Sequence, residues 1–376
     1  MKPLPARDHA DYRWIDPRPG AQSFSCGSCH EAIFDEWAGS AHGGKSRFGA
    51  RFADLEREYP DGAGVCASCH DPAPLGDERE RSGHVHCDFC HKVAAANDGE
   101  IGLTHGRFGL QLLRPARGQL VFGPRDDSPR SENSFSPFQR DSRLCASCHE
   151  GVVFGVRVYE TYSEWRASPA GRAGTQCQEC HMKPTGRMAN LAPGHGGIER
   201  DAKTVANHQF FDGSQLDMLR REVNLTLETT RDESAVRAII DVRAGNVGHR
   251  VPTGSPDRNL TLLVEAFDAD GRPLASTGGP RLPTFVGEES RAGRVFAKVL
   301  RDWQGHRPVP FWRASPEFDD TRLSPGATER TEFVYPREAV RVTAKLVYRR
   351  FWPDLSRAKG WKDDAVIVAE ESRITR

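Results

Sequence analysis

The chain has 376 residues, and its 52 basic side chains balance its 52 acidic ones, so the formal net charge is zero. This balance gives no reason to expect the basic surface that neutralises nucleic-acid phosphates, and we expect no nucleic-acid partner. The mean hydropathy is −0.61, and no apolar run reaches the roughly 18 residues that a membrane span needs. We therefore predict a soluble protein with no membrane span.

Residues 1–21 form a predicted N-terminal arm. This stretch is polar and rich in proline. It lacks the charged segment, apolar segment and small-residue cleavage site of a secretory signal peptide.

The ten cysteines all belong to Cys-x-x-Cys pairs, and each pair is followed at once by a histidine. The five motifs are Cys26-Gly-Ser-Cys29-His30, Cys66-Ala-Ser-Cys69-His70, Cys87-Asp-Phe-Cys90-His91, Cys145-Ala-Ser-Cys148-His149 and Cys177-Gln-Glu-Cys180-His181.

This spacing is typical of covalent haem c attachment. Two thiols three residues apart can each form a thioether with a porphyrin vinyl group, and the adjacent imidazole then binds the iron as the proximal ligand. Structural zinc would use the pairs two at a time and leave one over, while disulfides and iron–sulfur sites do not need the histidine. We therefore predict five covalently attached haem c groups.

Covalent haem attachment takes place outside the cytoplasm. We therefore expect a periplasmic or extracellular protein whose signal peptide is not present in this chain.

A short element occurs twice. The first motif is followed by Glu36-Trp-Ala-Gly-Ser-Ala-His42 and the fourth by Glu164-Trp-Arg-Ala-Ser-Pro-Ala170, so the second copy has an alanine in place of the histidine. A tryptophan with a small residue three positions later can lie flat on a porphyrin. An ordinary core tryptophan is an equal alternative for the tryptophan alone, but its occurrence after two haem motifs favours the haem.

The sequence pattern changes near residue 220, from one that predicts short helices to one that predicts strands. Residues 22–212 predict short helices around the motifs, joined by loops rich in glycine and proline. In the later part, alternating apolar residues predict strands, for example Val236 to Val242 and Val342 to Tyr348. We predict an α+β protein with a mainly helical penta-haem domain, 22–212, and an all-β immunoglobulin-like sandwich, 222–376.

A second imidazole on each iron would give low-spin centres suited to electron transfer. His42 lies in the tryptophan element, His208 follows the last motif, and His249 lies in a loop, Gly248–Gly254, whose glycines and proline allow close approach to a flat cofactor. The full set of distal candidates is His42, His84, His86, His105, His208 and His249.

These motifs resemble the multihaem cytochrome c superfamily, which includes penta-haem nitrite reductase, hydroxylamine oxidoreductase and the tetrahaem cytochrome that accepts electrons from the latter. The resemblance covers about residues 22–212 and is carried by Trp37-x-x-Ser-x-His42, Cys87-Asp-Phe-Cys-His-Lys-Val93, Thr161-Tyr-Ser-Glu-Trp-Arg-Ala-Ser-Pro169 and Cys177-Gln-Glu-Cys-His-Met182. Gly248-His-Arg-Val-Pro-Thr-Gly254 is similar to a β domain often appended to such cytochromes. The resemblance implies haems stacked in pairs close enough for electron hopping.

Two departures from the family pattern matter. Nitrite reductases carry a lysine in place of the motif histidine at the catalytic haem, whereas all five motifs here end in histidine, so nitrite reduction is not expected. Ala170 replaces the histidine of the repeated element, which makes one haem a candidate for five-coordinate iron.

We favour an electron-transfer protein with redox-protein partners, and we assign no catalytic residue. A redox enzyme with one open haem, acting on a small nitrogen or sulfur species or a peroxide, is the first alternative. A filament-forming extracellular cytochrome, which would associate with copies of itself into a haem wire, is the second.

Overall fold

The computed structural model describes residues 26–43, 57–58, 63–72, 85–97, 99, 101–112, 121–127, 135–153, 155–210, 216–288, 290–362 and 365–375. The predicted arm, 1–21, and the candidate ligand His84 lie outside the described residues.

The chain divides into two compact units. The motif unit comprises residues 1–151 and 174–212, and the strand unit comprises residues 152–173 and 213–376. This grouping puts the helices that follow the fourth motif with the strands, whereas the sequence pattern assigned them to the haem domain. The predicted boundaries, 22–212 and 222–376, stay a prediction.

The described α-helices are all short. They are α1 Glu31–Ala38, α2 Ala63–His70, α3 Cys87–Cys90, α4 Arg143–His149, α5 Thr161–Ala167, α6 Pro169–Arg172, α7 Cys177–His181, α8 Leu216–Glu222 and α9 Pro353–Ala358. None of the described helices is long and apolar enough to cross a membrane.

The motif unit also contains a two-stranded antiparallel sheet, formed by β1 Val93–Ala96 and β2 Leu110–Leu112. Phe89, in the third motif, packs with Val93 and Leu110 in a small buried cluster. The sheet therefore supports the helix that carries the third motif.

A second hairpin, β3 Gly151–Val153 with β4 Val156–Tyr159, follows the fourth motif. The remaining strands are β5 Val223–Arg231, β6 Ala235–Ala244, β7 Asn259–Phe267, β8 Pro273–Leu274, β9 Gly293–Leu300, β10 Phe318–Asp320, β11 Thr328–Pro336, β12 Arg341–Arg349 and β13 Val366–Ile374. They form two antiparallel sheets with the orders β11-β6-β5 and β10-β9-β7-β12-β13, and β8 pairs with β7. The predicted α+β class is confirmed.

One apolar core joins the two sheets of the strand unit. Alternate residues of β5, β6 and β11 are buried together with alternate residues of β7 and β12 and with Val368 of β13. Val236 and Val342, predicted as inward-facing from their period of two, are fully buried, and the Tyr335 hydroxyl donates to the Val264 carbonyl across the core at 2.9 Å. The immunoglobulin-like assignment of this sandwich stays a prediction.

Residues 152–173 are joined to the strands by a buried ion pair. The Lys298 ammonium lies 2.7 Å from the Glu160 carboxylate, and only 3% of the lysine side chain is exposed. Burial lowers the pKa of Lys298, while the Glu160 carboxylate opposes this shift. The hydroxyl groups of Thr161 and Thr253, 2.8 Å apart, add a second link.

Candidate haem-attachment sites

The motif cysteines lie on helical turns. The second motif ends α2, the fourth ends α4, and the fifth spans α7. The two cysteines of the third motif are the first and last residues of α3. Residues three apart on a helix are neighbours on one face, with Cβ atoms roughly 5–6 Å apart. Each of these turns therefore presents both of its thiols on the same side, as attachment to one porphyrin requires.

All ten cysteines lie among the described residues. None of them forms a disulfide. Within the described part of the chain, no three His, Cys, Asp or Glu side chains group into a self-contained metal site of the kind that structural zinc uses.

The fourth and fifth motifs are joined at their helix starts. The Ser142 amide and hydroxyl donate to Oε1 of Gln176 at 2.9 and 2.8 Å, and the Cys177 amide donates to the Ser142 hydroxyl at 3.0 Å. The thiols of Cys145 and Cys177 are consequently neighbours, and their hydrogen bond raises the pKa of Cys145. Porphyrins attached to these two motifs would also be neighbours.

The second and fourth motifs are close in the same way. The Cys148 thiol hydrogen-bonds to that of Cys69, and this contact raises the pKa of Cys148. A turn of 3₁₀ helix, Gly106–Gly109, packs against both α2 and α4. Its first residue, Gly106, has a φ of +58°, and a Cβ there would lie 2.0 Å from the Ser68 carbonyl oxygen in the second motif.

Replacing Gly106 with alanine should therefore disturb the second motif. The positive φ and the backbone clash together should cost about 3 kcal/mol or more, and we expect a lower yield of protein carrying the full haem complement, measured by haem content per chain. Gly186→Ala is the matched control, because Gly186 has a φ of +74° and nothing within 4 Å of its added Cβ. It should cost about 1 kcal/mol, and equal losses in both variants would contradict the role of the close contact.

Two motif histidines are oriented by backbone carbonyls. Nδ1 of His30 lies 2.7 Å from the Leu191 carbonyl oxygen, and Nδ1 of His91 lies 2.6 Å from that of Phe122. A hydrogen bond donated by Nδ1 fixes the tautomer in which Nε2 carries the lone pair, which is the usual arrangement of a metal-binding imidazole. Both residues thus fit the role of a proximal haem ligand.

Two predicted distal histidines face motif histidines at the distance that a shared iron requires. The ring centroids of His42 and His149 are 6.4 Å apart, and those of His91 and His208 are also 6.4 Å apart. A metal–imidazole bond of about 2.0–2.1 Å puts the centroids of two imidazoles on opposite sides of one metal roughly 6–6.5 Å apart. Both pairs match that distance.

The His208 ring has the properties of a ligand. Burial lowers the pKa of His208 to about 3, so the ring is neutral at neutral pH. Within the described residues its Nδ1 is buried and makes no hydrogen bond. A buried, unsatisfied nitrogen costs about 1–3 kcal/mol, and coordination to iron would remove that cost.

Two backbone hydrogen bonds anchor the loop that carries His208. The His208 amide donates to Oε2 of Glu36 on α1 at 2.8 Å, and the Asn207 amide donates to the Met182 carbonyl at 3.1 Å, just after the fifth motif. Sequence reasoning did not identify Glu36 as an anchor, although it begins the repeated element.

The other described candidates are His86, His105 and His249. The His86 ring lies 6.1 Å from that of Trp37, whose Nε1 donates to the neighbouring Val85 carbonyl at 2.9 Å. His105 directly precedes the Gly106 turn. His249 belongs to the strand unit, where its Nδ1 lies 3.0 Å from the Arg250 carbonyl.

The sequence matches no protein-family model and no curated protein. In structure it is similar to a penta-haem cytochrome c552 from Thermochromatium tepidum, with a TM-score of 0.71 and 24% identity over 95% of this chain and 99% of that chain. This chain has the fold of a penta-haem cytochrome c. The resemblance predicted from the motifs is therefore confirmed at the level of the fold.

Two further structures share much less with this chain. One is an X-ray structure of a structural-genomics target, 10% identical over 41% of this chain and 87% of that chain, with a TM-score of 0.19. The other is the Fcho1 Mu homology domain of Danio rerio with a bound Eps15 peptide, 11% identical over 42% of this chain and 49% of that chain, with a TM-score of 0.17.

Proposed function

We propose that this chain is a penta-haem c-type cytochrome that carries electrons between redox proteins in the periplasm or outside the cell. The observation that carries the proposal is the pair of imidazole–imidazole distances, His42 to His149 and His91 to His208, each 6.4 Å between centroids. Two imidazoles on one iron favour electron transfer over substrate binding, because they leave the metal no open position.

Each residue type has a defined role in this proposal. The ten motif cysteines form the thioether bonds, and the five motif histidines are the proximal ligands. His42 is the distal partner of His149, and His208 is the distal partner of His91. Haem c, when bound, supplies an iron that alternates between the ferric and ferrous states.

The other three motif histidines, His30, His70 and His181, need partners of their own. We propose that these come from His249, His105 and the pair His84 and His86. The thiol of Cys145 is hydrogen-bonded to that of Cys177, and the thiol of Cys148 to that of Cys69. These contacts support closely spaced haems, because each of these attachment points lies beside an attachment point of another motif.

The test uses the mature protein, with haem content measured per chain and spin state measured by electron paramagnetic resonance of the oxidised form. We expect five haems, low-spin signals throughout, and no binding of carbon monoxide after reduction. Fewer than five haems would contradict the cofactor assignment. A full haem content with stoichiometric carbon monoxide binding would contradict pure electron transfer.

The enzyme alternative depends on one residue. Ala170 stands where the first copy of the element has His42, and an iron without that ligand could bind a small substrate. A ferric high-spin signal from one haem would favour this alternative.

A further inference from the structure

Phe210 lies against both of the distal histidines that face a motif histidine. Its ring centroid is 4.5 Å from that of His42, and the two ring planes make an angle of 82°. The corresponding values for His208 are 5.8 Å and 89°. Edge-to-face contacts between aromatic rings occur at centroid separations of about 4.5–7 Å, so one phenyl ring makes such a contact with two imidazoles.

The backbone of Phe210 has an unusual conformation. Its φ is +46°, in the left-handed region that residues other than glycine rarely adopt. Residues in such conformations persist where the surrounding structure specifies them, and they cluster at functional sites. The surrounding structure therefore fixes the place of the Phe210 ring against the preference of its own backbone.

The loop that carries His208 and Phe210 is held by its backbone. The His208 amide donates to Oε2 of Glu36 at 2.8 Å, and the Gln209 amide donates to Oδ1 of Asn207 at 3.0 Å. Two successive amides between the two rings are thus bound, so both side chains start from fixed positions.

The backbone of His42 is fixed in the same way. Its amide donates to the Ser40 hydroxyl at 3.1 Å, and its carbonyl accepts the Val85 amide at 3.0 Å. These bonds leave the imidazole free to turn, because the torsion that joins an imidazole to its Cβ has a broad energy profile. In His208, within the described residues, the buried Nδ1 makes no hydrogen bond that would fix the ring. Packing against Phe210 therefore limits the rotation of both imidazoles.

The two ligand pairs differ in the twist between their rings. The planes of His91 and His208 make an angle of 23°, whereas those of His42 and His149 make an angle of 78°. When two imidazoles bind one iron from opposite sides, both planes contain the axis through the iron, so this angle is the twist between the ligands. The third motif thus has nearly parallel ligands, and the fourth has nearly perpendicular ones.

The twist changes the electronic structure of the iron. Each imidazole donates π density perpendicular to its own plane. Two parallel rings therefore raise one of the two iron dπ orbitals, while two perpendicular rings raise both alike. A ferric haem with parallel rings gives a rhombic paramagnetic resonance signal with well-separated g values, and one with perpendicular rings gives a more anisotropic signal with a larger maximum g value. Axial ligands also set the reduction potential of a haem, so the twist bears on electron transfer.

We propose that Phe210 is a positioning residue that fixes the ring planes of His208 and His42, and so gives the third-motif iron nearly parallel imidazoles and the fourth-motif iron nearly perpendicular ones. The inference rests on the proposed function and extends it from the identity of the ligands to their orientation. A phenylalanine with a merely structural role would affect folding without setting the twist at either iron.

The first experiment assigns the signals, using electron paramagnetic resonance of the oxidised mature protein. The low-spin signal that is lost in His208→Ala should be a rhombic one. The low-spin signal that is lost in His42→Ala should be the more anisotropic one, with the larger maximum g value. Any other assignment would overturn the proposed twists.

The second experiment removes the flat ring. Phe210→Leu keeps an apolar side chain, so all five haems should stay low-spin and bind no carbon monoxide, while both assigned signals should shift or broaden. Phe210→Tyr retains the ring and should keep both signals of the parent. Parental signals in Phe210→Leu, or equal changes in Phe210→Leu and Phe210→Tyr, would overturn the positioning role.

Phe311→Leu is the matched control. Phe311 makes an edge-to-face contact with Trp312 in the strand unit, with centroids 5.0 Å apart and an angle of 83°. Its replacement should leave every signal unchanged. Should Phe210→Leu lose haem, Phe210→Gly takes its place, because glycine accepts a positive φ without strain. Both assigned signals should change in that variant, and parental signals would overturn the proposal.

The outcomes separate this inference from the proposed function. Five low-spin haems with parental signals in Phe210→Leu would overturn the role of Phe210 and leave the proposed function standing. Fewer than five haems in the parent would contradict the proposed function itself.

Discussion

A chain produced without haem should fold in its strand unit and remain unfolded in its motif unit. In the strand unit, a cluster of 24 buried residues joins both sheets. In the motif unit, the described cluster around Phe89, Val93 and Leu110 is far smaller. Each fully buried large apolar side chain contributes about 1.5–3 kcal/mol, so the difference between the two clusters amounts to many kcal/mol.

The measurement is limited proteolysis of a variant in which every motif cysteine is replaced by serine. Fragments from 216–375 should resist digestion, circular dichroism should show mainly strand, and the motif segments should be degraded. The mature protein is the control and should be resistant in both units. Protection of the motif helices in the cysteine-free variant would show that side chains alone supply that core.

Replacement of His208 by alanine should open one iron. The ferric protein should gain one high-spin haem, and the reduced protein should bind one equivalent of carbon monoxide. Loss of an electron-donating imidazole disfavours the ferric state, so the potential of that haem should rise by on the order of 0.1 V, within the roughly 0.8 V range that axial ligands span. His42→Ala should have the same consequences at a different haem.

His306→Ala is the matched control, because His306 is an exposed histidine that hydrogen-bonds to Asp302 in the strand unit. It should leave potentials and spectra unchanged. A low-spin spectrum in His208→Ala, without carbon monoxide binding, would refute the pairing of His208 with His91. The double variant His42→Ala, His208→Ala should bind two equivalents, since the two pairs are separate.

The fold was predictable to the extent that local patterns specify it. Val236 and Val342 were predicted as inward-facing from a period of two, and both are buried, because side chains of a strand alternate between its faces. The grouping of 152–173 with the strands was not predictable in this way. It depends on Lys298 and Glu160, which are far apart in sequence and pair only in the folded chain.

For the candidate site, too, some features follow from the local sequence and others depend on the folded chain. Sequence alone predicts the attachment residues, because two thiols and an imidazole within five consecutive residues can reach one porphyrin from a single helical turn. The tertiary structure decided which distal histidine faces which motif, since His42 meets His149 and His208 meets His91 only after distant segments pack together. It also decided the part of Glu36, whose carboxylate accepts the backbone amide of His208 and so leaves no pattern in the side chains of the loop that it holds.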